Sequence, residues 1–174
     1  MSEKRSVYHK FCRYAIEFVL CGITGWVYET VLTSIVMGEF VHRGYLHIPI
    51  LPIYGVFGLI LMIIFRKKQT VPFIFFVSVI ATTVLELIGA YAIEAVLHRR
   101  LWSYEDWPLN FFEGRVSVLS SIIFGILSLF LMKVIHPFSD FLDKKLPSWA
   151  MYTAGTLCWV SIAADFAVTA LNIV

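Results

Sequence analysis

The chain contains five apolar stretches, and their lengths constrain its fold more strongly than any other feature of the sequence. Crossing about 30 Å of hydrocarbon takes about 20 helical residues. Charged or turn-forming residues close the stretches, and the fourth is expected to end at His136-Pro137. We therefore predict an all-α polytopic membrane protein, a single domain over residues 1–174 that forms a bundle of five transmembrane helices. The predicted spans are approximately 14–37, 49–65, 71–97, 116–135 and 149–172.

Composition favours a membrane location and excludes several other classes of protein. Of the 174 residues, 59% are hydrophobic and 15% are charged. A soluble protein of this size could not bury so much apolar side chain, and a disordered chain would be far more polar. The net charge of +2 offers no basic face for a nucleic acid, so we expect no nucleic-acid partner. The three cysteines are too few for a disulfide framework or a thiolate metal cage, and we expect no metal or other cofactor.

The distribution of lysine and arginine predicts how the chain crosses the membrane. If the N-terminus is cytoplasmic, ten of the 14 basic residues face the cytoplasm. The other four would face outward: Arg43, Arg99, Arg100 and Arg115. Because cytoplasmic loops of membrane proteins are enriched in Lys and Arg, this split predicts a cytoplasmic N-terminus and an outer C-terminus.

The second apolar stretch is short and interrupted by proline. Pro49 and Pro52 remove backbone donors, so regular helix is expected to begin only near Ile53. About 13 helical residues remain, or about 20 Å, which is less than the hydrocarbon thickness. Two interpretations stay open. The irregular backbone either lines a binding site or forms a simple proline cap at the membrane interface.

Five acidic residues lie inside the predicted spans. An acidic side chain near the membrane centre costs at least about 2.5 kcal/mol, so its presence there needs an explanation. The five are Glu17, Glu29, Glu86, Glu94 and Asp165. Glu17 and Glu94 lie near the ends of their spans, where a carboxylate can reach the lipid headgroups. These two need no functional explanation.

Glu29, Glu86 and Asp165 lie at one predicted depth. Each follows the cytoplasmic start of its span by 15 or 16 residues, which corresponds to about 22–24 Å of helix. We expect the three carboxylates to face one common cavity, with Glu86 the most buried, below outer loops whose Arg43 and Arg115 neutralise them. Such a layer is either a substrate, ion or proton site or a set of structural ion pairs that fix the bundle.

Several short motifs in the outer half point to a family. They are Cys21-Gly-Ile-Thr-Gly-Trp26 followed by Glu29, then Arg43-Gly44, Pro52-Ile-Tyr-Gly55, Leu85-Glu86, Trp102-Ser-Tyr104, Asn110 and Gly114-Arg115. In these motifs the chain resembles the CmpB-like type IV ABC-transporter permeases, a family of small bacterial membrane proteins. The resemblance covers about residues 14 to 135 and, weakly, the last span. The chain departs from the family pattern at Ser103 in place of an acid, at an inserted Glu113, and at His47 in place of a glycine.

The resemblance implies a permease-like protein of the bacterial cytoplasmic (inner) membrane. The chain has no Gly-x-x-x-x-Gly-Lys-Ser/Thr motif, so ATP hydrolysis would require a separate ATPase subunit. Five short helices make a thin bundle, which favours a homo-oligomer or a larger membrane complex. The residue chemistry and the resemblance agree on most candidate substrate- or ion-binding residues. The candidates are Glu29, Arg43, Tyr54, Glu86, Trp102, Tyr104, Asn110, Arg115 and Asp165.

Two other functions remain open from the sequence. A membrane-embedded enzyme acting on a lipid or a lipid-linked carrier could use Glu29 or Glu86 as a general acid or base. The absence of ATPase and hydrolase motifs makes an enzyme the less favoured interpretation, and no catalytic residue is assigned. An accessory membrane subunit would use the same acids only in structural ion pairs.

Overall fold

A computed structural model describes residues 6–65 and 69–173, with no side-chain description for residues 172 and 173. Its helices are α1 (Val7–Met37), α2 (Pro52–Ile64), α3 (Val71–Leu97), α4 (Val118–Phe130), α5 (His136–Lys145) and α6 (Ser148–Ile173). A π-helical turn at Leu131–Ile135 joins α4 to α5, giving one helix of 28 residues, Val118–Lys145. Four of the five continuous helices are long and apolar enough to cross a membrane, and α2 is the short one. The predicted all-α membrane fold is confirmed. Several of the basic residues that were expected to face the cytoplasm, among them Arg66–Lys68, lie outside the described residues.

The fourth helix does not end at His136-Pro137, and that prediction was wrong. The helix continues to Lys145. Pro137 lies in the first turn of α5, directly after the π turn. Proline is tolerated in the first turn of a helix, where its missing N–H is not needed. The hydrogen bonds of the preceding π turn run from residue i to residue i+5, so a different set of carbonyl groups needs a donor there than in an α-helix. The predicted helix end treated Pro137 as a residue inside a regular α-helix, where proline ends or kinks the helix.

The chain divides into two compact units. The first comprises residues 1–60 and 133–174, and the second comprises residues 61–132. In the first unit α1 packs along α6 and α5. In the second unit α3 packs along α4.

Four glycines allow α1 to pack closely against the first half of α2 and the residues just before it in the first unit. A Cβ atom at any of them would overlap a side chain of the opposite segment. Gly22 faces Ile50, Gly25 faces Tyr54, Gly55 faces Phe18 and Gly58 faces Cys21. We call these four contacts the glycine seam. Small residues bring membrane helices close together in this way and increase van der Waals contact.

Residues 39–51 connect α1 to α2 without regular secondary structure. Leu46, Ile50 and Leu51 of this connection are buried, and the Leu51 N–H donates to the carbonyl oxygen of Gly22 at 3.1 Å. Irregular backbone at membrane depth requires such protein partners. Helix α2 then begins at Pro52 and contains 13 residues, in agreement with the short second segment that the prolines predict.

Hydroxylated and small residues form the contact between α3 and α4 in the second unit. Ser78, Thr82 and Glu86 are buried on α3, and Ser121, Gly125 and Ser128 are buried on α4. The Thr83 hydroxyl donates to Ser121 Oγ at 2.7 Å. One end of the contact is apolar and contains Leu61, Phe65, Ile74 and Met132. A polar stripe along close-packed helices is typical of membrane proteins.

Gly25→Ala tests the glycine seam. The added Cβ overlaps the Tyr54 ring, and overpacking of this kind costs about 1–3 kcal/mol. We expect Tm in detergent to fall by several degrees. Val27→Ala, at a position of α1 that is 46% exposed, is the control and should change stability by less than about 0.5 kcal/mol. Equal Tm values for Gly25→Ala and the wild type would contradict close packing at this position.

Candidate functional site

Glu29, Arg43 and Tyr54 form a hydrogen-bonded group in the first unit, which we call the Glu29 cluster. The Tyr54 hydroxyl donates to Glu29 Oε1 at 2.9 Å, and Arg43 Nε donates to Glu29 Oε2 at 3.3 Å. Tyr54 is 2% exposed, whereas the side chains of Glu29 and Arg43 are 26% and 39% exposed. Gly25, one turn before Glu29, leaves the space that the Tyr54 ring occupies. The carboxylate is therefore held from the buried side and accessible from the other.

The Glu29 cluster has unused hydrogen-bond donors. Within the described residues the Arg43 side chain donates only through Nε, which leaves its two terminal amino groups without a protein acceptor. The Trp26 Nε1 and Thr30 Oγ1 atoms are buried and have no hydrogen-bond partner in the same part of the chain. The Trp26 ring packs against His42 at a centroid distance of 5.4 Å. A guanidinium with free donors is suited to a carboxylate or phosphate group.

Asp165 of α6 lies against the connection between α1 and α2. His47 Nδ1 lies 2.7 Å from Asp165 Oδ1, and the Ile48 N–H donates to Asp165 Oδ2 at 2.8 Å. The Asp165 side chain is 8% exposed and that of His47 is 64% exposed. Asp165 and Glu29 belong to the same unit but have different partners.

Glu86 is 3% exposed on α3 and accepts a hydrogen bond from the loop that follows the helix. The Tyr104 hydroxyl donates to Glu86 Oε1 at 2.7 Å. The Tyr104 backbone N–H donates to the carbonyl oxygen of Gly114 at 2.7 Å, and its ring packs on Trp107 at 5.0 Å. Glu86 is the most buried of the three acids that the sequence placed at one depth. Like Glu29, it accepts a hydrogen bond from a tyrosine hydroxyl.

Arg115 is 6% exposed and is bound on several sides. Its Nη2 and Nε donate to Glu94 Oε2 at 2.7 and 3.1 Å. Its Nη1 donates to Glu113 Oε2 at 2.7 Å and to the carbonyl oxygen of Phe112 at 3.1 Å. The guanidinium also lies 4.5 Å from the centre of the Tyr91 ring, which favours a cation.

Arg115 was expected to help neutralise the predicted layer of Glu29, Glu86 and Asp165. Arg115 pairs with Glu94 instead, and Arg100 Nε lies 3.6 Å from Glu94 Oε1. Glu94 is eight residues beyond Glu86, or about 12 Å nearer the loop that carries Arg115. Glu94, expected to reach the lipid headgroups, is instead an ion-pair partner of two arginines.

Arg115 also lowers the pKa of an acidic side chain in the loop. Its hydrogen bond and charge, together with the charge of Arg100, hold the pKa of Glu113 below the usual 4.5. Hydrogen bonds to Glu113 and Glu94 raise the pKa of Arg115. A lowered carboxyl pKa contributes stability above the unfolded value, and this contribution is lost as the pH falls through the folded value. The Glu113 side chain is 72% exposed, so solvent screens much of the effect.

Trp102 and Asn110 donate hydrogen bonds to backbone carbonyl groups of the same loop. Trp102 Nε1 donates to the carbonyl oxygen of Arg115 at 3.2 Å. Asn110 Nδ2 donates to the carbonyl oxygens of Glu105 and Trp107, both at 3.0 Å. Strand β1 (Asn110–Phe111) pairs antiparallel with β2 (Val116–Ser117). A cavity of about 10 Å³ beside Trp102 and Arg115 has room for about one water molecule.

A group of charged residues lies between α1 and α5 and was not predicted from the sequence; we call it the α1–α5 ladder. His9, Arg13 and Glu17 of α1 face Asp143, Asp140 and His136 of α5, respectively. His9 Nε2 lies 2.7 Å from Asp143 Oδ1, Arg13 donates to Asp140, and His136 Nδ1 lies 3.2 Å from Glu17 Oε1.

Glu17 does not reach the lipid headgroups as expected, because it is 1% exposed within the ladder. The signal in the sequence was helical spacing. Positions 9, 13 and 17 share one helix face, and positions 136, 140 and 143 share another, with opposite charges. Because a helix end was predicted at His136, positions 136, 140 and 143 were not expected to form a helix face.

The structure brings together Glu29 with Arg43 and Tyr54, and Glu86 with Tyr104. The expected common cavity for Glu29, Glu86 and Asp165 joins residues of both units and stays a prediction. Among the described residues, no group of three or more His, Cys, Asp or Glu side chains is arranged to hold a metal ion.

A family model described as "Putative ABC-transporter type IV" matches residues 16–170. The chain belongs to this family. The match includes α6 and Asp165, which the motifs indicated only weakly. No curated protein and no solved structure matches the chain. Membership and the four long apolar helices together make it a membrane protein of an ABC-transporter family.

Arg115→Gln tests the loop ion pairs. Removing the Arg115 guanidinium leaves Glu94 without its closest cation and Glu113 without a hydrogen-bond donor. We expect Tm in detergent to fall. Asp106→Asn, at an exposed position of the same loop, is the control and should melt close to the wild type. A similar loss in both variants would show that the effect is general to charge in the loop.

Proposed function

We propose that this chain is a permease subunit of an ABC-type transport complex in the bacterial cytoplasmic membrane. The Glu29 cluster is its contact for a small solute that bears a carboxylate or phosphate group. The observation that carries this proposal is the partly exposed Arg43, whose terminal amino groups have no acceptor among the described residues. Guanidinium groups recognise such anions through paired hydrogen bonds.

Glu29 gives the cluster selectivity in this proposal. A carboxylate beside the arginine repels a bare anion and favours a solute that also carries an ammonium or hydroxyl donor. Tyr54 fixes Glu29 from the buried side, so the carboxylate does not move toward the solute. Buried supporting hydrogen bonds of this kind preorganise a binding site.

The proposed complex includes a separate ATPase subunit, because the chain lacks a phosphate-binding loop of its own. A second copy of the chain or another membrane subunit completes the pathway, since five helices, one of them short, are few for a complete pathway. Glu86 with Tyr104 is proposed as a further polar contact in the second unit.

The proposed topology places the N-terminus in the cytoplasm and the C-terminus outside. A reporter fused after Val174 should read as extracytoplasmic, and one fused after Lys68 should read as cytoplasmic. The reason is the excess of Lys and Arg on the predicted inner side. A cytoplasmic signal from the fusion after Val174 would contradict an odd number of spans.

The solute proposal can be tested by thermal shift on the purified chain in detergent. The panel contains amino acids, dicarboxylates, phosphate esters and neutral sugars. We expect one anionic or zwitterionic class to raise Tm of the wild type and of Arg99→Gln, and not of Arg43→Gln, because only Arg43 lies in the cluster. Equal shifts in all three proteins would place binding elsewhere.

A second candidate function is an accessory subunit of the same complex with purely structural ion pairs. It is favoured by the fact that both carboxylate oxygens of Glu29 and of Asp165 already accept or contact protein donors. An accessory subunit would show no thermal shift with any solute class. Its Tm would still fall in Glu29→Gln, since Arg43 and Tyr54 would lose their charged acceptor.

A further inference from the structure

The α1–α5 ladder contains a buried acid that the proposed solute site does not use. Glu17 is 1% exposed and, within the described residues, receives a single hydrogen-bond contact, from His136 at 3.2 Å. Its second oxygen, Oε2, is buried and has no hydrogen-bond partner in that part of the chain. A buried carboxylate without a cation is strongly destabilising, because the protein interior does not replace the water that solvates the charge. The neighbours of Glu17 therefore decide its charge state.

The fixed cation nearest to Glu17 along α1 is engaged elsewhere. Arg13, one turn before Glu17, donates to Asp140 and lies 4.0 Å from an oxygen of Asp143. The contact that remains for Glu17 is the imidazole of His136, which is a cation only when it carries a second proton. Neutralisation of Glu17 therefore depends on a proton.

His136 is placed to hold that proton. Its Nδ1 faces Glu17, and its Nε2 lies 3.9 Å from Asp140 Oδ2. An imidazole between two carboxylates is stabilised in its protonated form. The His136 side chain is 22% exposed and that of Asp140 is 38% exposed, so the side of His136 that faces Asp140 is not fully enclosed by protein. A proton can enter and leave on this side.

Other titratable and charged groups surround the pair. On α1 they are Arg13 and Cys21, one turn to either side of Glu17. On the helix of His136 they are Lys133, Asp140 and Asp143, and α6 adds Tyr152 beside His9. The ladder itself contains three carboxylates and one arginine, so its two imidazoles are the groups whose protonation brings it closer to neutrality.

Two local features mark this place as more than an ordinary helix contact. The π turn at Leu131–Ile135 ends immediately before His136, and π turns occur frequently at functional sites. Ser139, which is 1% exposed one turn after His136, also has a hydroxyl without a hydrogen-bond partner among the described residues. Buried polar atoms left without partners are rare in stable proteins.

We propose that Glu17 and His136 form a proton-binding site that controls the contact between α1 and α5. When the site is occupied, the imidazolium of His136 donates to the Glu17 carboxylate and the buried charge is compensated. When the proton leaves from Nε2 to solvent, neutral His136 faces a buried anion and the contact weakens. This inference is independent of the proposed solute site.

The direct test observes the histidine rings in the full chain. The chain is labelled with ¹⁵N-histidine, placed in lipid nanodiscs and titrated, and signals are assigned with single His→Gln variants. At about pH 7.5, about one unit above the usual imidazole pKa of about 6.5, the ring of His136 should still be protonated. This corresponds to at least about ten-fold tighter proton binding. A neutral His136 ring at this pH would overturn the proposal.

Glu17→Gln separates proton binding from simple packing. The amide keeps the shape of the side chain and removes its charge, so His136 should then lose its proton at a lower pH than in the wild type. Glu39→Gln, at an exposed position after α1, is the matched control and should leave the His136 titration unchanged. A merely structural Glu17 would alter Tm and leave the His136 protonation as it was, which would count against the proposal. If Glu17→Gln fails to fold, the protonation state of the His136 ring in the wild type at about pH 7.5 still decides.

Discussion

A carboxylate enclosed by membrane helices must receive hydrogen bonds from the protein, because neither water nor lipid tails can supply them there. The conformation of the first unit follows from this requirement. The connection between α1 and α2 has no regular structure, yet it supplies the donors for Glu29 and Asp165 through Arg43, His47 and the Ile48 backbone. The connection is thus folded around two acids that belong to two different helices.

In the second unit, the loop after α3 supplies the hydrogen-bond donors for the carboxylates of that helix. Tyr104 reaches Glu86 and Arg115 reaches Glu94, so the segment after α3 is fixed by two acids of that helix. Glu113, one of the departures from the family pattern, adds a carboxylate to Arg115, and its φ of 56° places it in the left-handed region. Backbone strain of this kind persists only where the surrounding contacts require it.

The sequence predicted the helices well and the pairings only in part. Apolar length alone specified the spans, since hydrocarbon thickness sets helix length whatever the tertiary contacts are. The partner of an acid depends instead on how a loop folds, and Arg115 therefore pairs with Glu94 and not with the more deeply placed Glu86. Glu17 shows a second limit. Its partner lies on a helix that continues past a proline, and only the π turn, which has no clear sequence signature, explains that continuation.

The glycine seam has a mechanical consequence for the first unit. Each glycine faces a large side chain of the other segment, so the two segments fit at a single register. Sliding one past the other by a helical turn, about 5.4 Å, would place large side chains against large side chains. Helix α1 and the start of α2 are therefore expected to move together as one rigid body. Relative motion within this unit is therefore expected where α1 meets α5 or α6, at contacts that include ion pairs and aromatic rings.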